Sequence, residues 1–206
     1  LLIPEILAKG VRVRALTRNP GKYQALPGVE VMQGDVLDRS SLASALIEMD
    51  TVYYFVHSMS KDTRGTGLSF AERDQLAAQN FVAVAGEQGV KRIIYLGGLG
   101  ETGATLSKHL LSRIEVGRVL GSGKPALTTL RAALIIGAGG SSFEMLRYLV
   151  DRLPAMIAPK WVETKSQPIA VRDVLAYLVG CLFDDRTVGR TFDIGGPDIL
   201  TYRQLM

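Results

Sequence analysis

Residues 70–98 read FAERDQLAAQNFVAVAGEQGVKRIIYLGG and predict one helix followed at once by one strand. Apolar residues recur with helical spacing from Phe70 to Gln88, and Gly89 stands where a left-handed residue commonly ends a helix. The run 93–96 is apolar at every position, which is typical of a strand covered by helices on both faces. This stretch therefore predicts the helix-to-strand half of a βαβ unit in a parallel sheet.

The same alternation extends over the rest of the chain. Short β-branched runs predict strands at 11–17, 29–33, 51–57, 92–96, 127–136 and 191–194. Segments with helical spacing predict helices at 1–9, 41–48, 70–88, 107–120, 142–152 and 172–183. We expect Gly10 to end the first helix, and the 38–41 stretch to supply N-cap oxygens to the second. Together these elements predict an α/β fold with a doubly wound parallel sheet.

Composition narrows the class of protein further. The chain has 206 residues, 24 Lys and Arg against 20 Asp and Glu, and 47% hydrophobic residues, as a folded globular domain does. We expect one domain over residues 1–206, with 138–170 as an insertion on the substrate side. No apolar run reaches the roughly 18 residues of a bilayer span, so no membrane partner is expected. Cys181 is the single cysteine, which favours a cytoplasmic setting and excludes a cysteine-cluster metal site.

The two ends of the sequence suggest that more chain belongs to the domain. A doubly wound nucleotide domain opens with a strand, a glycine-rich turn and a helix. This chain opens with LLIPEILAKG, which already has the character of that first helix, and it closes with TYRQLM, which begins another. We therefore expect truncation at the N-terminus, where the first strand and glycine-rich turn are absent, and at the C-terminus.

The net charge of +4 is mild, and the sequence lacks the clustered basic residues of a nucleic-acid binder. No nucleic-acid partner is therefore expected.

Seven segments in this order resemble the atypical and extended short-chain dehydrogenases/reductases, in the NAD(P)H-binding, NmrA-like and epimerase-like branch. The segments are 15–20, 34–38, 55–58, 90–98, 130–137, 167–174 and 190–197. The resemblance implies an NAD(P)-binding Rossmann-like fold with a small C-terminal substrate-side portion. It also implies a nicotinamide dinucleotide as cofactor, NADP or NAD, and we expect no metal.

The adenosine end of such a cofactor would meet the segment Thr17, Arg18 and Asn19. In a dinucleotide fold a carboxylate at the end of the second strand favours NAD, whereas an arginine pairs with the 2′-phosphate of NADP. Arg18 therefore favours NADP, unless it is simply a solvated residue at a strand end. The resemblance also places Gly34, Asp35 and Val36 at the adenine, with the carboxylate toward the amino group, although Gly-Asp pairs are common in turns.

The nicotinamide end would lie over later strands, because ligands in open α/β sheets bind outside the carboxyl ends of the strands. We expect cofactor contacts from the ends of three strands: Phe55, Val56 and His57; Leu96, Gly97 and Gly98; Ala132 and Ala133. His57 has two interpretations at this stage, a local bond at the pocket edge or a contact with substrate. The expected substrate residues are Ser58, Ser142, Phe143 and Met145, with core packing as the alternative for Phe143 and Met145.

Catalytic relatives carry a serine or threonine at the strand end and a Tyr-x-x-x-Lys pair on the next helix. This chain keeps the spacing but has His109 and Arg113 at the paired positions, and Gly97-Gly98 at the strand end. Residues four apart share a helix face. A histidine exchanges protons near neutral pH, and an arginine bonds ribose hydroxyls, so His109 and Arg113 are the predicted catalytic pair, with Arg113 also touching the cofactor. The alternative is a solvated helix face that has lost the chemistry.

The sequence thus leaves more than one function open. The leading hypothesis is an NADP-dependent oxidoreductase or epimerase-like enzyme acting on a small carbonyl, alcohol or quinone-type substrate, with a homodimer among the expected assemblies. The second is a non-catalytic NADP-binding redox sensor or regulator of the NmrA-like type. A third, an S-adenosyl-dependent methyltransferase, normally has an acidic residue at the second strand end, and Arg18 argues against it.

Overall fold

The computed structural model describes residues 1–57, 67–99, 107–137 and 160–206, together with 143, 144, 147, 148 and 150. Its strands are β1 (Val13–Thr17), β2 (Val29–Gln33), β3 (Thr51–Tyr54), β4 (Arg92–Gly98), β5 (Ala126–Ala132), β6 (Ile135–Ile136), β7 (Lys165–Ser166), β8 (Ile169–Ala170), β9 (Thr191–Ile194) and β10 (Leu200–Thr201). Its α-helices are α1 (Leu2–Leu7), α2 (Arg39–Leu46), α3 (Phe70–Glu87), α4 (Lys108–Leu120), α5 (Val171–Phe183) and α6 (Tyr202–Leu205). Short 3-10 helices cover Pro20–Lys22, Lys160–Glu163 and Asp185–Thr187.

The sheet is parallel, as the alternating pattern predicted. Strands β3, β4, β5 and β9 form one sheet in that order, and β1 pairs with β2 in a second parallel sheet. Tyr54 lies opposite Tyr95, and Leu96 lies opposite Leu130. In a parallel sheet every strand ends at the same edge. The residues that follow β3 and β4 are therefore neighbours in space although about forty residues separate them in sequence.

Two hydrophobic cores lie on opposite faces of this sheet. Ile93 and Tyr95 join the core formed with α2, α3 and α4, whereas Ile94 joins the core formed with α5, and Leu96 packs against it. Leu2 of α1 packs against this second core as well. Ile93 and Ile94 are fully buried, and burial of such side chains contributes about 1.5–3 kcal/mol each. Helices on both faces confirm the doubly wound α/β fold.

The helix boundaries follow the local signals in the sequence. Asp38 caps α2 by accepting a hydrogen bond from the Ser40 backbone N–H. Ser69 and Glu72 form a reciprocal capping box at the start of α3. Gly10 and Gly89 both have φ of +74°, the left-handed conformation expected just after a helix. Local chemistry therefore indicated these helix ends to within two residues, since the helix predicted at 41–48 spans Arg39–Leu46 and the helix predicted at 1–9 spans Leu2–Leu7.

Three strand predictions were too long. The strand predicted at 11–17 begins at Val13, the strand predicted at 51–57 ends at Tyr54, and the run 127–136 is split into β5 and β6. The split has a clear cause, because the Leu134 carbonyl accepts from the Ile169 backbone N–H and the chain then pairs with β8 instead of β4 and β9. The helix predicted at 142–152 lies mostly outside the described residues, although Phe143 and Glu144 are helical.

The segment 138–170, predicted to be a substrate-side insertion, is described only in part. Its described C-terminal end contains the 3-10 helix Lys160–Glu163 and the short strands β7 and β8. Strand β7 pairs antiparallel with β10, and β8 pairs parallel with β6. Among the helices of the described residues, none combines the length and the apolar character needed to cross a bilayer.

Candidate functional site

Strand β1 ends in the segment predicted to meet the adenosine ribose. Arg18 is exposed, and its guanidinium makes no hydrogen bond or ion pair with the described residues. Its backbone carbonyl accepts from Gln33 Nε2 at 3.5 Å, and Thr17 Oγ1 accepts from the Asn19 N–H at 3.3 Å. The backbone of this segment is thus held in place, while the arginine side chain is available to an anion.

The loop after β2 is fixed by several hydrogen bonds. Asn80 Nδ2 on α3 donates to the carbonyls of Val36 at 3.3 Å and Leu37 at 3.2 Å. Oδ1 of Asp35 accepts from the Leu37 backbone N–H at 3.1 Å, which is the turn geometry left open above. A Cβ at Gly34 would stand 2.6 Å from Leu16 Cδ1, so the loop approaches β1 closely. The adenine role of Asp35 and Val36 stays a prediction, and sequence reasoning missed the part of Asn80.

A cavity of about 300 Å³ lies where β3 and β4 end. Its volume is at the lower end of the range for small-molecule sites, roughly 300–1,000 Å³. The lining is mainly apolar and comprises Leu1, Leu2, Phe55, Val56, His57, Tyr95, Leu96, Arg113, Ile135, Val171, Val174, Leu175 and Leu178. Phe55 and Val56 remain 46% and 38% exposed, so the described structure leaves part of this apolar rim uncovered.

The structure gathers some of the predicted residues at this cavity and not others. Phe55, Val56, His57, Leu96 and Arg113 line it together. Of the residues predicted for the nicotinamide end and the catalytic pair, five are not part of the lining: Gly97, Gly98, His109, Ala132 and Ala133. Sequence reasoning missed the contribution of α5, which supplies Val171, Val174, Leu175 and Leu178 to the lining.

Gly98 explains how α4 reaches the cavity. A Cβ at this position would lie 2.7 Å from Leu110 Cδ1 and 3.3 Å from Arg113 Cδ. Absence of a side chain therefore lets the helix pack closely on the end of β4. The backbone just after β4 is held against β5, because the Leu99 N–H donates to the carbonyl of Ala132 at 2.8 Å.

His57 stands in a mixed electrostatic environment. Burial lowers its pKa from the ordinary value of 6.5, and the nearby Arg113 guanidinium lowers the pKa further, with a smaller contribution from His109. Asp74 acts in the opposite direction. That carboxylate is buried on α3, where it accepts a hydrogen bond from Ser112 Oγ at 3.3 Å. The neutral form of His57 is therefore favoured at neutral pH.

The predicted pair on α4 is divided by the geometry. Arg113 is half-buried and lines the cavity, whereas His109 is exposed and stacks on Phe70 with ring centroids 4.7 Å apart. The ring planes of this pair differ by 19°. The catalytic role of His109 stays a prediction, but the cavity receives Arg113 without it.

Two buried tyrosines lie side by side in the sheet at this site, and one of them, Tyr95, lines the cavity. The Tyr95 hydroxyl donates to the backbone carbonyl of Arg113 at 3.0 Å, and burial raises the pKa of Tyr95 to about 12. Burial also raises the pKa of Tyr54, whose buried hydroxyl has no hydrogen-bond partner within the described part of the chain. Both side chains are neutral at physiological pH, so they contribute dipoles and packing instead of charge.

Most of the predicted substrate residues lie outside the part of the chain that the structure describes. Ser58, Ser142 and Met145 lie outside the described residues. Phe143 is half-buried in a helical turn and is not among the residues that line the cavity. Their assignment to substrate stays a prediction.

Comparison with known proteins finds a plant relative in sequence. An Arabidopsis thaliana protein, NADH dehydrogenase (ubiquinone) 1 alpha subcomplex subunit 9, mitochondrial, is 26% identical over 176 residues. The alignment covers 84% of this chain, which spans 43% of the length of that protein.

Solved structures share the fold along nearly the whole chain. A nucleoside-diphosphate-sugar epimerase from Staphylococcus aureus has a TM-score of 0.79 at 19% identity, over 99% of this chain and 69% of its own. A short-chain dehydrogenase/reductase superfamily protein from Agrobacterium tumefaciens with bound NAD has 0.73 at 15%, over 99% and 76%. Triphenylmethane reductase from Citrobacter sp. with NADP(H) has 0.76 at 20%, over 99% and 68%.

A family model described as NAD(P)H-binding matches residues 1–131, the part of the chain that runs from α1 through β5 up to Arg131. The match includes Arg18, the residues that follow β3, and the residues of β4 and α4 that reach the cavity. The chain therefore belongs to the NAD(P)H-binding family, and its fold is that of the short-chain dehydrogenases/reductases and sugar-nucleotide epimerases.

Proposed function

We propose that this protein is an NADP-dependent oxidoreductase or epimerase-like enzyme that acts on a small carbonyl, alcohol or quinone-type substrate. The observation that carries the proposal is the cavity at the ends of β3 and β4, which is apolar except where His57, Tyr95 and Arg113 face it. Membership of the NAD(P)H-binding family supports the class of cofactor. The choice of NADP over NAD rests on Arg18.

The residues of the chain fit a dinucleotide along the sheet edge. Arg18 would pair with the 2′-phosphate, because its guanidinium has no other partner within the described residues. The loop 34–36 would meet the adenine, and Phe55, Val56 and Leu96 would lie along the nicotinamide side. When bound, the coenzyme supplies hydride transfer to or from a substrate carbon.

The protein itself would orient the substrate and keep water away. Arg113 offers several donors and a permanent positive charge, so it can hold a ribose hydroxyl or the oxygen of a substrate. With a ligand bound, the apolar side chains of α5, together with Phe55 and Val56 after β3, would help to exclude water, which would strengthen the electrostatic interactions of Arg113 and His57. An apolar cavity with these few polar groups favours a substrate that has one polar reacting end on an apolar body.

Coenzyme titration tests this proposal directly. Intrinsic-fluorescence or calorimetric titration with NADPH and NADH is expected to show tighter binding of NADPH, followed by NADPH consumption with a panel of aldehydes, ketones and quinones. Absence of binding to both coenzymes would refute it.

A non-catalytic NADP-binding regulator is the second candidate. Two observations favour it: β4 ends in Gly97 and Gly98, which offer no hydroxyl, and His109 faces solvent instead of the cavity. Equal affinity for oxidised and reduced coenzyme without turnover would support this candidate.

We also propose a cytoplasmic location, because a chain with a single cysteine suits a reducing compartment. The plant relative, by contrast, is named as mitochondrial.

A further inference from the structure

The chain contains two histidines, and the structure places them in different surroundings. His57 follows the end of β3, is half-buried and lines the cavity with Arg113. His109 is exposed, and its ring is occupied by stacking on Phe70. Proton transfer requires the donor to come within hydrogen-bond reach of the reacting atom, directly or through one water. In the structure His57 lines the space that a substrate would fill, so it is the histidine positioned for such a contact.

We propose that His57, and not His109, is the catalytic residue that exchanges a proton with the substrate oxygen in this cavity. The inference rests on the proposed function, because it assumes that the cavity holds the reacting end of a carbonyl or alcohol. Motif spacing alone predicts this proton-exchanging role for His109, the first residue of the His109–Arg113 pair.

The step balances as a simple proton and electron-pair transfer. In alcohol oxidation the substrate O–H bond breaks, and its proton goes to the unprotonated ring nitrogen of His57 while the C=O bond forms. The substrate C–H bond also breaks, and the hydrogen with its electron pair is transferred to the oxidised nicotinamide coenzyme of the proposed function. Bulk water then takes the proton from the imidazolium. Carbonyl reduction runs through the same atoms in reverse, with protonated His57 as the donor.

Burial and the groups that face His57 determine the direction in which it works best. Burial is the largest influence and lowers the pKa of His57. Arg113 and His109 of α4 also disfavour the imidazolium, Asp74 of α3 favours it, and Tyr95 of β4 is neutral. The resting enzyme thus holds a neutral imidazole, a proton acceptor that suits alcohol oxidation at neutral pH, whereas carbonyl reduction would accelerate as the pH falls.

Nuclear magnetic resonance can test this assignment without turnover. Since there are two histidines, His109→Gln leaves only the His57 ring signals, and His57→Gln leaves only those of His109. NADP⁺ alone is the probe, and calorimetry first establishes that it binds. We expect saturating NADP⁺ to shift the ring signals of His57 strongly and those of His109 less. Binding of NADP⁺ with His57 signals unchanged would overturn the proposal, whereas no binding of either NADP⁺ or NAD⁺ would overturn the proposed function instead.

Kinetics provides the second readout. With any substrate that the panel identifies, His57→Gln is expected to lower kcat by about 100-fold or more, the usual worth of a positioned acid or base. Its affinity for NADP⁺ should change much less, and His57→Asn serves as a second variant if His57→Gln does not fold. A larger loss of kcat in His109→Gln than in His57→Gln would restore the motif-based assignment and refute this one.

Discussion

The Tyr95 hydroxyl donates a hydrogen bond of 3.0 Å to the backbone carbonyl of Arg113. The bond connects β4 to α4 at the residue that presents a guanidinium to the cavity. Tyr53 makes a comparable bond of 2.9 Å to the carbonyl of Leu178 on α5, on the opposite face of the sheet. Each tyrosine thus ties a helix to the sheet, but only Tyr95 acts on the helix that carries Arg113.

Removal of these two bonds should therefore have different effects on ligand binding. Tyr95→Phe and Tyr53→Phe are each expected to lower the free energy of unfolding by about 0.5–1.5 kcal/mol, because each variant loses one hydrogen bond between a side chain and a helix carbonyl. Tyr95→Phe should also weaken coenzyme binding through Arg113, and more than Tyr53→Phe, whose partner Leu178 adds only an apolar side chain to the lining. Urea denaturation and calorimetric titration measure the two quantities. An equal effect of both variants on coenzyme affinity would contradict a positioning role for Tyr95.

Arg18 should determine the preference between coenzymes. Arg18→Ala is expected to weaken NADPH binding by about 1.5–3 kcal/mol, the worth of hydrogen bonds to a charged group, and to leave NADH binding nearly unchanged. Arg12→Ala removes the same charge just before the start of β1 and is the matched control. A similar loss of NADPH affinity in both variants would show that only net charge matters, and no loss in either would show that Arg18 is a solvated residue.

Two glycines should respond to alanine with opposite signs. At Gly98 a Cβ would crowd Leu110 and Arg113, so Gly98→Ala is expected to destabilise the fold by about 1–3 kcal/mol and to displace Arg113. At Gly180, inside α5, nothing lies within 4 Å of an added Cβ, so Gly180→Ala should stabilise the helix by roughly 0.5–1 kcal/mol. Thermal and urea unfolding check both signs. A stabilising Gly98→Ala would mean that α4 packs less closely on β4.

The pH dependence of stability should reveal the environment of His57. Its pKa is lower in the folded state than the ordinary value of 6.5, so the unfolded chain binds more protons between these two values. The free energy of unfolding should thus fall as the pH drops from above 6.5 through the folded-state pKa. His57→Gln should lose less stability over the same range. Identical pH profiles of the variant and the natural sequence would show that His57 is solvated in the folded protein.

Sequence patterns predicted the elements of the fold because they record local burial. The uninterrupted apolar run around Ile93 and Ile94 predicted a strand with cores on both sides, and the structure has them. The cavity was harder to predict, because its wall combines residues far apart in the chain, such as Leu2, His57 and Leu178. No periodicity reports which distant side chains share a space.

The motif on α4 shows the same limit at the level of single residues. Spacing alone correctly indicated that positions 109 and 113 lie one helical turn apart. Whether either side chain reaches the cavity depends on how the helix is rotated against β4, where the close packing at Gly98 and the bond from Tyr95 are two of its contacts. In the structure Arg113 reaches the cavity, and His109 lies against Phe70.

Within the described residues the pair β1 and β2 shares no strand pairing with β3, β4, β5 and β9. Every residue of β1 is only half-buried, whereas Arg92–Tyr95 in β4 are all buried. Amide protons of β1 should consequently exchange with deuterated solvent through smaller, more frequent openings than those of β4. A dinucleotide that touched Arg18 at one end and Arg113 at the other would bridge these two units and slow exchange in β1 selectively.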